Sequence, residues 1–398
     1  MRLLIIQYGG EYREAYYRLA NGGEEIYGFQ KYSVDYVANL TEKLEEVTII
    51  SICSNANYDE FLKPKLRAIG LGLKQDYDKN KIRQYTEKYI KELKPDRMIL
   101  RFPSQEILSL AIKYKIPTLA SFADYIANKT IKQKIKNFFL ANLLNNPTIQ
   151  WISNHGVYAS ETLKNIGVKP EKIIPRDWPS FTTPKEFSPK DKSFNHELIT
   201  VFYCGTISEN KGVKEIINAI SLLNKEGLNI QAKIAGNGEI EKYSAMAKKL
   251  GIEEQIVFLG LISHNKVIPL MRDSDLVIVP SRIEYAEGFP KVINEALVSR
   301  TPLIVSNHPV FMSKLKNEQN AMIFRSGDYV ALSEGIKKVI NNEKLYHKLS
   351  TNSYETWLSL QIPCKFHDLI NNWLFNEQNR NSFLSQHNLL NWDAITKP

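Results

Sequence analysis

Short apolar runs alternate along the chain with segments in which apolar residues recur every three or four positions. Near-continuous apolar runs of this length predict buried parallel strands, and the periodic segments predict amphipathic helices that cover them. The runs occupy residues 2–8, 47–53, 97–102 and 117–123, and later 199–205, 231–236, 255–260, 276–281 and 302–307. The alternation occurs twice, which predicts two doubly wound, Rossmann-like α/β domains with parallel sheets.

The length of 398 residues also favours two hydrophobic cores over one. Residues 176–198 are polar and interrupted by prolines, which is typical of a linker. We therefore predict an N-terminal domain at 1–190 and a second domain at 191–365. A helical segment at 366–398 carries Trp373, Leu389, Leu390 and Trp392, and we expect it to pack back on the N-terminal domain.

Composition and charge indicate the cellular compartment of the protein but do not identify its function. The cysteines Cys53, Cys204 and Cys364 match no metal-ligand spacing, and their odd number suits buried thiols in a reducing compartment. No apolar run approaches the roughly 20 residues that span a bilayer. We expect a cytoplasmic protein. Its net charge of +9 favours anionic partners, whether nucleotides, nucleic acid or anionic lipid, without choosing among them. We expect no nucleic-acid partner.

The stretch AEGFPKVINEALV, residues 286–298, offers a place for phosphate. It follows a predicted strand, and Pro290 is suited to the first turn of a helix because its missing N–H costs nothing there. The backbone N–H groups of Lys291 and Val292 and the positive helix end would face a ligand, and Gly288 would let the backbone approach it closely.

Two glutamates frame this predicted phosphate site. Glu295 lies about one and a half turns into the helix, and its side chain leans back towards the helix start. A carboxylate beside a phosphate is suited to ribose hydroxyls, which offer two neighbouring donors. Glu287, which we expect to be exposed in the turn, would hold hydroxyls of a second sugar. Together the pair predicts a nucleotide-sugar site.

The sequence EGFPKVINEALV resembles the E-x7-E signature of retaining glycosyltransferases of the GT-B fold, in glycosyltransferase family 4. The likeness extends over most of residues 198–345 and is weaker in the first half. It implies two Rossmann-like domains facing a central cleft, with a UDP- or GDP-sugar on the second domain. The first domain would bind a glycan or lipid-linked acceptor, as in surface polysaccharide assembly.

The resemblance also implies roles for individual residues. Lys211 would neutralise the donor diphosphate. Thr206 stands where the family usually has an arginine, so either Arg282 or another residue replaces that cation or activity is weak. We assign the catalytic set to Glu287, Lys211 and Asp124. The predicted donor-binding residues are Gly22, Gly23, Gly205, Thr206, Lys211, Gly236, Arg282, Glu287, Gly288, Phe289, Pro290, Lys291, Val292 and Glu295.

The first half departs from the family pattern. Asp124 matches a family aspartate near the reacting carbon, but Ala123 replaces the usual histidine before it. Arg101 and His155 follow predicted strands and are candidates for acceptor contacts. A long loop after the first strand carries Tyr12, Arg13 and Tyr16, which would form an acceptor platform or else pack as ordinary loop residues.

Residues 128–145 predict a basic amphipathic helix, with lysines at 129, 132, 134 and 136 and no acid between Asp124 and Glu161. Such a helix docks on an anionic membrane surface or packs against a core with its lysines in solvent.

The triplet DSD at 273–275 imitates a metal motif, but the resemblance makes it structural, and AGNGEIE lacks the third glycine of a dinucleotide fingerprint. We therefore expect no metal and no cofactor. Two alternatives to the transferase remain open: a nucleotide-sugar 2-epimerase and a catalytically silent nucleotide-sugar-binding protein.

Overall fold

The chain forms two α/β units, each built on its own sheet. The computed structural model describes residues 1–25, 29–73, 78–194, 198–285, 287, 289–376 and 380–392, and only the backbone of 380–382. The first unit comprises residues 1–25, 29–179 and the described residues from Ile362 onward, and the second comprises 180–361. The observed division therefore falls after Pro179 and after Gln361, whereas the predicted boundaries fall after residues 190 and 365.

The first sheet has the strand order β3-β4-β2-β1-β5-β6-β7-β8, and its strands run parallel except that β3 pairs antiparallel with β4. Pro175, which cannot donate to a ladder, is tolerated in β8 because β8 lies at the sheet edge. The strands are β1 (Arg2–Gln7), β2 (Glu46–Ser51), β3 (Asn57–Lys63), β4 (Leu66–Leu71), β5 (Arg97–Leu100), β6 (Thr118–Ser121), β7 (Ile149–His155) and β8 (Ile173–Arg176).

Helices connect these strands, and the first of them corrects an expectation. Residues 12–20, which we predicted to lie in a long loop, form a helix because Tyr12, Ala15 and Leu19 bury one face. The helices are α1 (Tyr12–Ala20), α2 (Gln30–Asn39), α3 (Lys79–Leu93), α4 (Gln105–Lys113), α5 (Ile131–Asn145) and α6 (Val157–Asn165).

The second sheet is parallel throughout, with the order β11-β10-β9-β12-β13-β14. Its strands are β9 (Ile199–Cys204), β10 (Ile230–Ala235), β11 (Ile256–Gly260), β12 (Leu276–Val279), β13 (Leu303–Ser306) and β14 (Met322–Phe324). Its helices are α7 (Val213–Lys225), α8 (Ile240–Leu250), α9 (Val267–Asp273), α10 (Lys291–Ser299), α11 (Pro309–Met312), α12 (Tyr329–Ile340) and α13 (Glu343–Leu360). The prediction of two doubly wound, mostly parallel sheets is confirmed.

The segment after Ile362 packs into the core of the first unit. It contains α14 (Phe366–Phe375) and α15 (Arg380–Gln386). Trp373 is fully buried, its Nε1 donates to Gln150 Oε1 at 2.8 Å, and Arg97 Nη1 donates to its carbonyl at 2.8 Å. The indole is thus fixed against β5 and β7. Among the described residues, no helix is long and apolar enough to cross a membrane.

Candidate functional site

Strand order in the second sheet reverses direction between β9 and β12, which is where open α/β sheets bind ligands beyond the carboxyl ends of the strands. Lys211 lies in the loop from β9 to α7, and Glu287 lies in the segment from β12 to α10. Lys211 Nζ donates to Glu287 Oε1, so these two predicted catalytic residues form an ion pair at the reversal point.

Backbone contact between the two loops places Lys211 there. Gly212 has a φ of +75°, and a Cβ at this position would lie 2.3 Å from the carbonyl oxygen of Pro280. The N–H of Arg282 also donates to the carbonyl of Asn210 at 2.9 Å. Because only glycine fits the approach at position 212, the loop presses on the end of β12 and holds Lys211 beside Glu287.

Glu287 is buried, and the expectation that it is exposed is wrong. Its exposed fraction is 6%. Glu287 Oε1 accepts a second hydrogen bond from Ser281 Oγ at 2.6 Å, while the Lys211 ammonium lies 4.5 Å from the centre of the Tyr285 ring. A buried carboxylate requires such partners because desolvation without them costs several kcal/mol. The chain therefore folds the carboxylate inward onto Lys211.

Glu295 contacts a histidine from another loop, which sequence reasoning missed. Helix α10 begins at Lys291 after Pro290, so Glu295 lies in its second turn. Glu295 Oε1 is 2.8 Å from His264 Nε2. The signal for His264 was its position a few residues after β11, at the same sheet edge. Cys204 ends β9 nearby, and burial, with a smaller contribution from Glu295, raises the pKa of its thiol to about 12.

Glycines follow β9 and β10 at the carboxyl edge of the second sheet, so this part of the edge carries no side chains. A Cβ on Gly236, whose φ is +144°, would lie 1.8 Å from the carbonyl oxygen of Gly205. The N–H of Gly236 donates to the carbonyl of Gly260 at 2.8 Å. The backbones that follow β9, β10 and β11 are therefore in direct contact. Phe289 and Val292 are half-buried at the start of α10, and the predicted Gly288 lies outside the described residues.

Arg282, one candidate to replace the missing family arginine, pairs with two carboxylates. Its Nε donates to Glu215 Oε1 at 3.1 Å, and its Nη1 donates to Glu209 Oε1 at 3.1 Å. Thr206 is exposed, and its carbonyl accepts a hydrogen bond from Tyr203 Oη at 2.7 Å. Since two carboxylates pair with the guanidinium, Lys211 is the better placed cation for a diphosphate.

The first unit gathers other candidates at the carboxyl edge of its own sheet. Arg101 follows β5, and its Nη1 donates to Gln7 Oε1 at 3.2 Å. Asp124, in the exposed segment after β6, accepts a hydrogen bond at its carbonyl from Asn154. His155 ends β7, and its Nε2 is 2.8 Å from Asp177 Oδ1.

The His155–Asp177 pair was not predicted, because Asp177 belongs to the stretch read as a linker. Burial alone would raise the pKa of the Asp177 carboxyl. The hydrogen bond and charge of His155 and the charge of Lys365 outweigh burial and lower that pKa.

The glycine pair of the first unit lies at a different place from the one expected. The family resemblance implies that Gly22 and Gly23 lie between the first strand and the first helix, but α1 intervenes and both glycines follow it. The glycines directly after β1 are Gly9 and Gly10. An additional helix explains the difference, because the segment from β1 to Gly22 was predicted to be a loop.

Tyr12 is part of the core and cannot stack on a sugar. It is 4% exposed, and its hydroxyl donates to the carbonyl of Val34 at 3.0 Å. Tyr16 is half-buried, with its ring centre 6.4 Å from that of Tyr12. Arg13 lies 3.8 Å from the centre of the Tyr58 ring and 3.5 Å from Glu60. The alternative of ordinary packing therefore describes this segment better than an acceptor platform.

The DSD triplet contains a structural aspartate. Asp275 Oδ2 accepts from the Thr200 N–H at 2.8 Å and its Oδ1 accepts from Lys192 Nζ at 2.8 Å, at the amino end of β12. That end is opposite the edge that carries Lys211. Within the described part of the chain, no group of three or more His, Cys, Asp or Glu residues could hold a metal ion.

Comparison with known proteins finds similar glycosyltransferases. Residues 184–356 match the family model Glycosyl transferases group 1. An uncharacterized glycosyltransferase of Haemophilus influenzae is 24% identical over 338 residues, which cover 82% of this chain and 90% of that protein. The capsular polysaccharide biosynthesis glycosyltransferase CapM of Staphylococcus aureus is 26% identical over 162 residues, covering 39% of this chain and 42% of CapM.

Among solved structures, HepE from Anabaena in complex with UDP and glucose superposes with a TM-score of 0.60. The superposition covers 90% of this chain and 95% of HepE at 15% sequence identity. At that identity the likeness concerns the fold, and it identifies the two-sheet architecture as GT-B.

Proposed function

We propose that this chain, a GT-B glycosyltransferase whose residues 184–356 match the glycosyl transferases group 1 family, retains anomeric configuration when it moves a sugar from a UDP- or GDP-sugar to a glycan or glycolipid acceptor. The observation that carries the proposal is the pairing of each motif glutamate with a basic side chain from another loop. Glu287 pairs with Lys211 and Glu295 with His264, both at the carboxyl edge of the second sheet.

Glu295 is the residue we assign to the donor ribose. A carboxylate has two oxygens with several acceptor positions, so contact of Oε1 with His264 leaves acceptor capacity for two vicinal hydroxyls. Helix α10 would direct its positive end at the diphosphate, and the glycine contacts at Gly205 and Gly236 would let the nucleotide approach the backbone.

Lys211 and Glu287 are the residues we assign to the point where phosphate and sugar meet. An ammonium group has three N–H donors, so Lys211 can keep its bond to Glu287 and also donate to a diphosphate. Charge on Lys211 stabilises the leaving group as negative charge develops on it. Glu287 would accept hydrogen bonds from hydroxyls of the transferred sugar, and Asp124 would contact the acceptor side.

The chemistry we propose is transfer on one face of the sugar without metal or cofactor. The bond from the anomeric carbon to the phosphate oxygen breaks, and the acceptor oxygen bonds to the same face of that carbon. The acceptor proton passes to the leaving diphosphate. The capsular polysaccharide role in the name of CapM and the UDP complex of HepE support a role in polysaccharide assembly and a UDP-sugar donor.

Thermal shift against UDP, GDP and their sugars tests the donor, because a ligand that binds only the folded state raises the melting temperature. We expect UDP to stabilise the wild type and to stabilise Lys211→Gln far less. Lys214→Gln, an exposed lysine of α7, is the matched control. NMR of the product anomer tests retention. Tight UDP binding with no release of sugar to water or acceptor would favour the silent alternative, and release of an epimerised sugar would favour the epimerase.

We further propose that α5 contacts an anionic lipid surface, such as the inner face of a cell membrane. One face of α5 packs into the core through Leu140, Ala141 and Leu144. The opposite face exposes four large apolar side chains between lysines, with no acid on the helix. They are Ile131, Ile135, Phe138 and Phe139, with exposed fractions of 78, 56, 61 and 55%.

Vesicle co-sedimentation tests this contact. Lysines contribute about 1 kcal/mol each near an anionic surface and a buried Phe about 1.5–3 kcal/mol. We expect the wild type to bind phosphatidylglycerol-containing vesicles. The double variant Phe138→Ser/Phe139→Ser should bind them at least roughly tenfold more weakly. Phe61→Ser, which removes a phenylalanine with 57% exposure on β3, is the control. Equal binding by all three proteins would contradict the assignment of α5.

A further inference from the structure

A pair of arginines meets at the carboxyl edge of the first sheet. Arg101 directly follows β5, and Arg176 is the last residue of β8. Both guanidinium groups lie against the ring of Phe366, at 5.5 and 5.2 Å from its centre. Two side chains from strands that are not neighbours thus converge on one ring.

Arg176 is buried with one of its nitrogens unused. Its exposed fraction is 4%. Nε donates to Ser121 Oγ at 3.2 Å and Nη2 donates to the carbonyl of Phe122 at 3.1 Å. Nη1 is buried and has no hydrogen-bond partner among the described residues. A buried guanidinium with an unused donor carries a desolvation cost that an anionic partner would offset.

The nearby carboxylate is already occupied. Asp177 Oδ1 contacts His155 Nε2 at 2.8 Å and accepts from the Trp178 N–H at 2.7 Å. Burial, and then the charge of Arg101, lowers the pKa of Arg176 to about 10, with Asp177 and Cys364 acting in the opposite direction. The charge balance around Arg176 therefore favours an added anion.

We propose that Arg176 and Arg101 bind an oxyanion of the acceptor, either a phosphate or a carboxylate. The planar guanidinium matches both groups through paired N–H donors. The Trp178 ring lies 5.5 Å from the Arg176 guanidinium and packs between Phe29, at 6.0 Å, and Phe366, at 4.7 Å, so it forms part of the aromatic wall beside the two arginines. The inference rests on the proposed function only in taking this ligand to be the acceptor.

The arrangement makes charge a determinant of acceptor choice. An acceptor with a phosphate or a uronic-acid carboxylate would gain charge-assisted bonds at the first unit, and a neutral glycan would not. Such a site selects acidic glycans or phosphate-linked acceptors without contributing to donor binding.

Thermal shift of the full chain with inorganic phosphate, glucuronate and neutral glucose tests the site. The comparison is between wild type and Arg176→Gln. Both proteins have the same second unit, so any anion bound at the donor site contributes equally, and the difference isolates Arg176. We expect the variant to bind phosphate, glucuronate or both about tenfold more weakly than the wild type does. The thermal shift with glucose should be nearly the same for the two proteins. Loss for phosphate alone indicates a phosphate-bearing acceptor, and loss for glucuronate alone a uronic acid.

Two further variants keep the test decisive. If Arg176→Gln lacks a cooperative unfolding transition, the half-buried Arg101→Gln replaces it and should show the same loss. Arg83→Gln removes an exposed arginine from α3 and should respond to the anions as the wild type does. Identical anion responses in the wild type and in both site variants would overturn the proposal, whereas failure of UDP binding in all proteins would count against the proposed donor instead.

Discussion

Replacing Glu287 by glutamine separates its structural role from its role on the sugar. Oε1 alone accepts both the Lys211 and the Ser281 hydrogen bonds, so the glutamine oxygen can keep both and only the charge is lost. A charge-assisted bond contributes roughly 1.5–3 kcal/mol and a neutral one about 0.5–1.5 kcal/mol. We therefore expect Glu287→Gln to lower the free energy of unfolding by about 1–2 kcal/mol.

The functional loss should be larger than the structural one. Lys211 keeps its charge in Glu287→Gln, so we expect UDP affinity within about threefold of wild type, while kcat/KM for transfer falls roughly 10- to 100-fold because sugar hydroxyls lose an ionic acceptor. Glu295→Ala should show the opposite pattern, with UDP bound roughly 10- to 100-fold more weakly.

Calorimetric titration with UDP, urea unfolding and initial rates measure these effects. Glu226→Gln is the control, because it breaks an exposed ion pair in which Glu226 Oε2 lies 2.8 Å from Lys337 Nζ. It should change the free energy of unfolding by no more than about 0.5 kcal/mol. If Glu287→Gln and Glu295→Ala lose UDP affinity equally, the division of work between ribose and transferred sugar is wrong.

Three shorter predictions concern a backbone contact, a thiol and a buried lysine. Gly236→Ala should cost about 2–4 kcal/mol of stability and abolish UDP binding, because the added Cβ would meet the Gly205 carbonyl. The control Gly227→Ala should cost only about 1 kcal/mol, because position 227 has a φ of +90° but no atom within 4 Å of the added Cβ. Burial raises the pKa of Cys204 to about 12, so iodoacetamide at pH 8 should alkylate it slowly in the native protein and rapidly in urea, as followed by peptide mass spectrometry. Burial lowers the pKa of Lys172 from 10.5 to about 8, so between pH 8 and pH 10.5 the unfolded chain binds more protons than the folded one. In that pH range the stability of the wild type, measured by urea unfolding, should rise with pH relative to that of Lys172→Met.

Long apolar strands and the helix after Pro290 were predictable because their patterns are local. Helix α7, for example, has apolar residues at helical spacing from Val213 to Leu223, and these residues are buried. Elements with a weak local pattern were missed. Strand β3 lies at an edge with three of its seven residues exposed and none fully buried, and β8 contains Pro175. An edge strand tolerates both features, so neither leaves a buried-strand signal.

The chemistry of the site was predictable only in part, because the partners of its side chains come from distant parts of the sequence. The motif identified Glu287 and Glu295, but their partners depend on which loops meet at the sheet edge. His264 lies 31 positions before Glu295, and its place after β11 is its only local signal, while Arg176 lies 55 positions after Ser121. The burial of Glu287 depends likewise on Lys211, which lies 76 positions earlier.

The return of the last helices to the first unit sets an order of maturation during synthesis. Residues 180–361 are complete before Phe366 and Trp373 are translated, so the second sheet can close while the first still lacks α14. The pairing of Trp373 with Arg97 joins residues 276 positions apart. Until that late contact forms, the growing chain carries an apolar face on its first sheet, and this nascent intermediate is the stage at which chaperones would be needed most.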